Sequence, residues 1–185
     1  MGLRNDFAAV LRGARSGDDW AWRALYAEFA PALLGYLRAR RADHPDDLLG
    51  EVMLQIVRDL VGFDGNRSDF RAWAFTIAYH RLLDERRRAT RKSAEPMPPP
   101  ELERVGPLGD TEEDALRNLS AERVGRILAK LSPDQQNVIL LRVLGELSTE
   151  QVAEIVGKTP GAVKALQHRG FEAIRTDLEN ERVTI

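Results

Sequence analysis

Apolar residues along this chain recur every three to four positions, which is the spacing of one face of an α-helix. The clearest stretch runs from Trp20 to Arg41, and its apolar members are Trp22, Leu25, Tyr26, Phe29, Leu33, Leu34 and Leu37. No segment alternates apolar and polar residues in the manner of a strand, so the pattern predicts an all-α protein.

Two further helices are predicted in the first half of the chain. One follows Pro45 and runs from Asp46 to Leu60. The next begins after a turn rich in residues that tolerate unusual backbone angles, with Ser68 as a candidate N-cap, and runs from about Asp69 to Arg91. The side chains predicted for its inner face are Phe70, Trp73, Ala74, Ile77 and Leu82.

The helical pattern stops after Lys92. Prolines and glycines that cannot continue a helix follow it: Pro96, Pro98, Pro99, Pro100, Gly106, Pro107 and Gly109. The same stretch is acidic and almost free of bases, so residues 93–112 are predicted to be a proline-rich acidic linker between two small helical domains.

The second domain is predicted to open with a helix from near Thr111 or Glu112 to about Leu131. Ser132-Pro133-Asp134-Gln135 then has the form of a capping box with proline in the first turn, which predicts a helix through Leu144 that Gly145 ends.

Residues 148–175 predict two short helices joined by a tight turn. Ser148 and Gln151 form a second capping box, and Gly157 stands where a left-handed helix stop is needed. Thr159 is the next N-cap, with Pro160 at the first helical position. The predicted buried face of the second helix consists of Val163, Leu166, Gly170 and Ile174. The arrangement predicts a DNA-binding helix-turn-helix, although an ordinary helical hairpin would show the same pattern.

Composition removes several classes of function. The 185 residues are 43% hydrophobic and 30% charged, and no apolar stretch reaches bilayer length, so we expect a soluble cytoplasmic protein without membrane insertion. Because the chain has no cysteine, thiolate zinc sites and cysteine nucleophiles are excluded. His44, His80 and His168 lack metal-ligand spacing, and no glycine-rich phosphate loop is present. We therefore expect neither an enzyme nor a bound cofactor.

The formal net charge of −2 conceals a basic cluster. Its members are Arg81, Arg86, Arg87, Arg88, Arg91 and Lys92, on the same predicted helix as several aromatic residues. Aromatic rings can stack on unpaired bases while arginines neutralise phosphates, a combination suited to melted DNA. The alternative is a core stripe with a solvated basic face. We expect Trp73 to be core, and we predict Phe75, Tyr79 and His80 as base contacts.

Three motifs in this order resemble a bacterial sigma factor of the extracytoplasmic-function type, over about residues 18–178. DDLLGEVMLQIVRDL is similar to the helix that binds core polymerase, and FRAWAFTIAYHRLLDERRR to the helix that reads the −10 element. LSPDQQNVILLRVLGELSTEQVAEIVGKTPGAVKALQHRG is similar to the domain that reads the −35 element. The resemblance implies a σ2 domain at 15–92 and a σ4 domain at 113–178.

The resemblance also assigns residues to each contact. It places Asp46, Asp47, Glu51 and Gln55 on the polymerase-docking helix. It places Phe75, Tyr79, His80, Arg81, Arg86, Arg87 and Arg88 at the −10 DNA, and the loop Asp64 to Asp69 where a flipped base is captured. It places Lys164, Gln167, His168 and Arg169 at the −35 DNA. The chain departs from the usual motifs at Gly50 and at the pair Leu166-Gln167.

The function implied is that of an alternative sigma factor that recruits core RNA polymerase to promoter DNA and helps to melt it. An anti-sigma factor is implied as a further partner. Two other hypotheses remain open from the residues: a stand-alone helix-turn-helix regulator of duplex DNA, and a helical scaffold whose motifs are only core geometry. Neither needs both an aromatic-arginine helix and a carboxylate-bearing docking helix.

Overall fold

The computed structural model describes residues 6–93 and 123–183, and within them every regular element is helical. The helices are α1 (Phe7–Arg15), α2 (Asp19–Ala39), α3 (Pro45–Asp59), α4 (Arg67–Ser93), α5 (123–129), α6 (Pro133–Val143), α7 (Thr149–Val156) and α8 (Pro160–Val183), with a single 3-10 turn at Leu60–Gly62. Nearly all of the predicted linker, and the start of the helix expected near Thr111, lie outside the described residues. Over the two described ranges, no helix is long and apolar enough to cross a membrane.

Helices α1 to α4 form the first bundle around a set of aromatic rings. Phe29 of α2 and Phe70 of α4 lie with their ring centroids 4.8 Å apart, and Phe7 of α1 approaches both rings edge-on. Helix α1 was not among the predicted elements, yet its apolar residues Phe7, Val10, Leu11 and Ala14 are all buried. The hydrophobic core of this bundle therefore begins at Phe7.

The predicted capping signals of the second bundle are confirmed. Ser132 and Ser148 each form a reciprocal capping box with the glutamine three residues later, at the starts of α6 and α7. Gly157 ends α7 in the left-handed conformation at φ 66°, and the Thr159 hydroxyl accepts a hydrogen bond from the Ala162 N–H at 3.2 Å. These local bonds satisfy backbone groups that a helix end leaves unpaired, so they set the tight turn of the helix-turn-helix.

The start of α4 differs from the prediction that Ser68 caps it. The Asn66 side chain accepts hydrogen bonds from the N–H groups of Ser68 and Asp69, at 2.8 and 3.2 Å. Asp69 in turn accepts a hydrogen bond from the Asn66 N–H at 2.9 Å. The cap is thus Asn66, and its bond with Asp69 ties the loop before α4 to the first turn of the helix.

The two bundles contact each other directly. Helix α6 packs on the second half of α2, and α7 lies beside the first turns of α4. At Gly35 the helices come so close that a Cβ there would lie 3.7 Å from Leu144 Cδ1.

Replacement of Gly50 by alanine should stabilise the protein. Gly50 is exposed within α3, and a Cβ at this position would meet no atom within 4 Å. Because glycine costs about 1 kcal/mol in a helix interior relative to alanine, we expect Gly50→Ala to raise the free energy of unfolding by about 0.5–1 kcal/mol. Urea denaturation followed by far-UV circular dichroism measures this change.

Gly145→Ala is the matched control, since a Cβ there would overlap the backbone carbonyl oxygen of Leu141. That variant should lose about 1–3 kcal/mol. An unchanged or lower midpoint for Gly50→Ala would contradict the open environment assigned to Gly50.

Candidate nucleic-acid and polymerase surfaces

Helix α8 presents a polar row on the outside of the second bundle. Lys164 and His168 are exposed and Gln167 is half-buried, and their spacing of three and four positions puts them on one face. Val163 is fully buried and Gly170 packs against Ile139, which fixes the rotation of the helix. The polar row therefore points away from the core, as entry into a major groove requires.

Arg169 does not share this row. At 100° per residue it lies about 140° around the helix axis from Lys164. It is exposed nonetheless. The structure therefore brings Lys164, Gln167 and His168 together and leaves Arg169 on a different side of α8.

Phe75 was predicted to stack on a base, and this prediction is wrong. Its side chain is 0% exposed and meets Tyr36 of α2 edge-on, with ring centroids 5.7 Å apart. Trp73, expected in the core, is half-buried and stacks on Phe63 at 5.0 Å. The spacing to Ile77 did predict a buried stripe, but α4 is buried over a wider arc that includes Phe75.

Tyr79 and His80 do face outward on α4. Tyr79 is half-buried and His80 is exposed, and the two rings meet edge-on with centroids 5.5 Å apart. The pair is the aromatic surface on this part of α4 that an unpaired base could reach.

The arginine cluster is divided by its contacts. Arg81 forms an ion pair with Glu51 at 3.7 Å and donates a hydrogen bond to Gln55 at 2.6 Å. Arg86 donates to the backbone carbonyl of Arg40 at 2.6 Å. Arg87 and Arg88 are exposed, although Arg87 lies 3.4 Å from Asp84. Of these four arginines, Arg87 and Arg88 are therefore the most accessible to a phosphate group.

Three of the four predicted docking residues of α3, Asp47, Glu51 and Gln55, share this side of the bundle, whereas Asp46 faces α2. Asp46 pairs with Arg38 at 3.2 Å, while Glu51 and Gln55 bind Arg81. Asp47 and Glu51 line a groove with Arg88, Asp43 and Glu85. Helix α3 therefore meets Arg81 of α4 through the Glu51 carboxylate, a contact that separate motifs did not reveal.

The loop 63–66 closes one side of a second cleft. Its other wall is α1, and the cleft has a volume of about 400 Å³. Its lining is basic because three arginines, Arg12, Arg15 and Arg67, outnumber the Asp64 carboxylate, although Arg15 donates to the backbone carbonyls of Leu60 and Phe63. Arg67 and Arg71 both form ion pairs with Glu28, which holds the start of α4 against α2. The cleft lies beside the loop predicted to capture a flipped base.

One surface was missed in the sequence. Tyr26, Leu54, Val57 and Val61 are 53%, 56%, 47% and 79% exposed, on the outer side of α2 and α3 and the turn after α3. Trp22, Tyr26, Ala27, Met53 and Val57 line a shallow groove there, with Arg23 at its edge. The sequence did indicate this surface, because these helices carry more apolar residues than their buried faces need. Exposed apolar patches of this kind mark protein-binding surfaces. We refer to Tyr26, Leu54, Val57 and Val61 as the apolar face.

Comparison with known families matches both bundles separately. Residues 25–92 match the family described as Sigma-70 region 2, and residues 121–174 match Sigma-70, region 4. The first match contains α3 and α4 and most of α2, and the second contains the helix-turn-helix.

Characterised relatives are similar over most of the chain. The ECF RNA polymerase sigma factor ShbA of Streptomyces griseus is 31% identical over 180 residues, covering 90% of this chain and 92% of the relative. The ECF RNA polymerase sigma factor SigD of Mycobacterium tuberculosis is 31% identical over 179 residues, covering 92% of this chain and 82% of the relative.

Solved structures share the fold. CnrH, in complex with the cytosolic domain of CnrY, superposes with a TM-score of 0.66 at 23% identity, over 93% of this chain and 96% of that chain. The sigma factor RpoE of Bartonella quintana, in complex with the anti-sigma factor NepR, gives a TM-score of 0.58 at 20% identity, over 80% of this chain and 91% of that chain.

Truncation of Phe75 should act on stability. Because the ring is fully buried, we expect Phe75→Ala to lower the free energy of unfolding by about 3–5 kcal/mol. His80→Ala, five positions along and exposed, should stay within about 0.5 kcal/mol of the parent. Thermal or urea unfolding of both variants measures the difference, and equal losses would contradict the assigned rotation of α4.

Proposed function

The chain is an extracytoplasmic-function RNA polymerase sigma factor of the sigma-70 family, and we propose that three of its surfaces divide the work of promoter-specific initiation. As an alternative sigma factor it directs transcription, so each surface must meet either promoter DNA or core polymerase. The observation that carries the assignment is the polar row of α8, held outward on a doubly capped helix-turn-helix.

The −35 element is assigned to the second bundle. Helix α8 enters the major groove with Gln167 towards the base edges, where its amide can pair with adenine. His168 lies beside it, and Lys164 and Arg169 contact the backbone phosphates. The family's usual arginine and leucine are replaced here by Leu166 and Gln167, so we infer a −35 preference that differs from that of typical members.

The −10 element is assigned to α4 and the loop before it. Tyr79 and His80 offer ring faces to unpaired bases, and Arg87 and Arg88 offer charge to the adjoining phosphates. The basic cleft between α1 and the loop is the site we assign to a flipped base, whose extraction costs a few kcal/mol. Phe75 leaves this set because it is core. Arg81 and Arg86 leave it because a Glu51 carboxylate and a backbone carbonyl hold them.

Core polymerase is assigned to the apolar face together with the exposed carboxylates of α3. Leu54 lies one helical turn from Glu51, so the apolar side chain and the carboxylate share a row. Asp46 and Asp47 lie in the first turn, where their negative charges also interact favourably with the helix dipole. The apolar face supplies most of the buried area in this assignment, and Glu51 and Gln55 set its polar rim.

The remaining assignments follow from that division of work. We infer that σ2 and σ4 extend over about 15–92 and 113–178, with α1 as part of the first core. CnrH and RpoE are each seen with a protein partner, CnrY and NepR. We propose a similar anti-sigma partner for this chain, one that covers the apolar face. Because the proposed function acts on polymerase and promoter DNA, we assign the protein to the cytoplasm. The function requires no cofactor.

A carboxylate on the apolar face should block assembly with polymerase. We expect Leu54→Glu to reduce complex formation with core polymerase by at least about 10-fold, because a charge would have to be buried without a partner. Its unfolding free energy should stay within about 0.5 kcal/mol, since Leu54 is exposed. Analytical size exclusion measures complex formation with core polymerase, and run-off transcription measures the activity of the reconstituted enzyme.

Val124→Glu makes the same change at a similarly exposed site, 52% against 56%, on the second bundle. It should leave complex formation unchanged. Normal assembly by Leu54→Glu would remove the apolar face from the polymerase interface.

Alanine substitutions of Gln167 and Lys164 should affect binding to the −35 element in different ways. Gln167→Ala should relax discrimination at one base pair by about 1–3 kcal/mol, because one amide reads one base. Lys164→Ala should weaken binding to all sequences alike and reduce the salt slope by about 1, since it contacts phosphate. Binding of the reconstituted holoenzyme to a series of singly substituted −35 duplexes distinguishes the two. A uniform loss in Gln167→Ala would show that Gln167 reads no base.

A further inference from the structure

An apolar side chain stands on the outward face of α8, among the polar residues of that face. Ala165 is exposed, whereas its neighbour Leu166 is half-buried and packs against the core. At 100° per residue, Ala165 lies about 160° around the helix axis from Val163 and about 180° from Ile174. Val163 is buried and Ile174 packs against the core, so Ala165 points away from the bundle.

Two cationic side chains lie on either side of Ala165. Lys164 is about 100° around the axis in one direction and Arg169 about 40° in the other. Both are exposed. When such cations contact the phosphates that border a groove, they fix the position of the helix, and the residues between them face the bases. Ala165 and His168 are the exposed side chains that lie between them on this part of α8.

Farther along α8 the same side of the helix becomes acidic. Glu172 lies about 20° around the axis from Ala165, and its Oε1 atom is 3.4 Å from Nε2 of His168. Glu179 is exposed at about 40° from Ala165. Because carboxylates repel phosphates, the part of α8 that enters the groove is residues 160–169. Recognition helices contact base edges with their N-terminal residues, so Ala165 lies in the part that meets the bases.

The methyl group of alanine limits what Ala165 can recognise in a major groove. All four bases present hydrogen-bonding atoms there, and thymine alone adds an apolar group, its C5 methyl. Contact between the two methyl groups removes apolar surface from water and breaks no hydrogen bond. A guanine or cytosine edge packed against Ala165 would lose water without gaining a partner, which is unfavourable.

Ala165 and Gln167 read different base pairs in this arrangement. Relative to His168, Ala165 lies about 60° around the axis in one direction and Gln167 about 100° in the other. The amide of Gln167 is long enough to reach a base from the border of the outward face. The Ala165 methyl is short, so it reads a base against which α8 packs closely. The two residues therefore make separate contributions to the −35 preference.

We propose that Ala165 is a specificity-determining residue that reads the C5 methyl of one thymine in the −35 element. The ligand feature is an A·T pair whose thymine methyl faces α8, and G·C and C·G pairs are disfavoured at that position. This inference rests on the proposed function, because it requires α8 in the major groove of promoter DNA.

Deoxyuridine in place of thymine tests the contact, because the two bases differ only in the C5 methyl. The probes are −35 duplexes that the reconstituted holoenzyme selects from a pool randomised across this element, with each thymine then replaced in turn. We expect replacement at one position to weaken holoenzyme binding about three- to five-fold, which is the effect of losing one buried methyl group.

Ala165→Gly identifies the side chain responsible. The variant should bind the thymine and deoxyuridine duplexes equally at the sensitive position. Its salt dependence should remain that of the parent, because no phosphate contact is lost. Ala173→Gly is the matched control, since it makes the same change at another exposed position of α8 outside residues 160–169. Both variants carry the same helix cost of glycine, and Ala173→Gly should keep the parent's preference for thymine.

Ala165→Ser is a second variant with a smaller effect on the helix. Its hydroxyl can donate to or accept from any base edge. The preference for the A·T pair over C·G at the sensitive position should therefore fall about three-fold or more, as one new hydrogen bond predicts. A preference that stays as in the parent would contradict the placement of Ala165 against this base pair.

Two further outcomes would overturn the inference. One is equal binding of the parent holoenzyme to all thymine and deoxyuridine duplexes, and the other is undiminished discrimination in Ala165→Gly. A holoenzyme that selects no −35 sequence from the pool would overturn the assignment of this element to α8, and the inference with it. Failure of the proposed function is thus distinguishable from failure of the thymine contact alone.

Discussion

The structure depends on the packing of Phe29 against Phe70. This contact sets the rotation of α4 on α2, and the bonds of Arg67 and Arg71 to Glu28 hold the same rotation at the helix start. With Phe70 inward, helical geometry turns Ala74 and Ala78 to the core and leaves His80 outside. An aromatic pair in the core therefore helps to decide which side chains of α4 stay exposed.

Local signals were the part of the fold that the sequence predicted well. A capping box needs only residues three apart, and a left-handed stop needs only a glycine at the right place, so both ends of α7 were foreseeable. Helix α1 was missed because nine residues give a short pattern, and its apolar face has meaning only against Phe29 and Phe70. The cap of α4 was misassigned by two positions, because Asn66 and Ser68 are both good capping residues and the chain's path through the turn decides between them.

The candidate functional side chains were harder to predict from the sequence than the helix ends, for a physical reason. Exposure of an aromatic residue depends on its neighbours from other helices, and Tyr36, which buries Phe75, is far away in sequence. The pairing of Arg81 with Glu51 likewise joins two motifs that resemble separate functional sites. By contrast, the outward position of the polar row on α8 could be predicted from that helix alone, because Val163 and Gly170 define its buried side.

Gln136 links the internal order of one bundle to the position of the other. Its single amide holds the end of α5 through two carbonyls and also accepts the Arg40 guanidinium. While the bundles are joined, loosening α5 would cost the contact with α2 as well, so the two halves share one cooperative unfolding transition. The two bundles are therefore expected to melt at one temperature, in a single calorimetric transition.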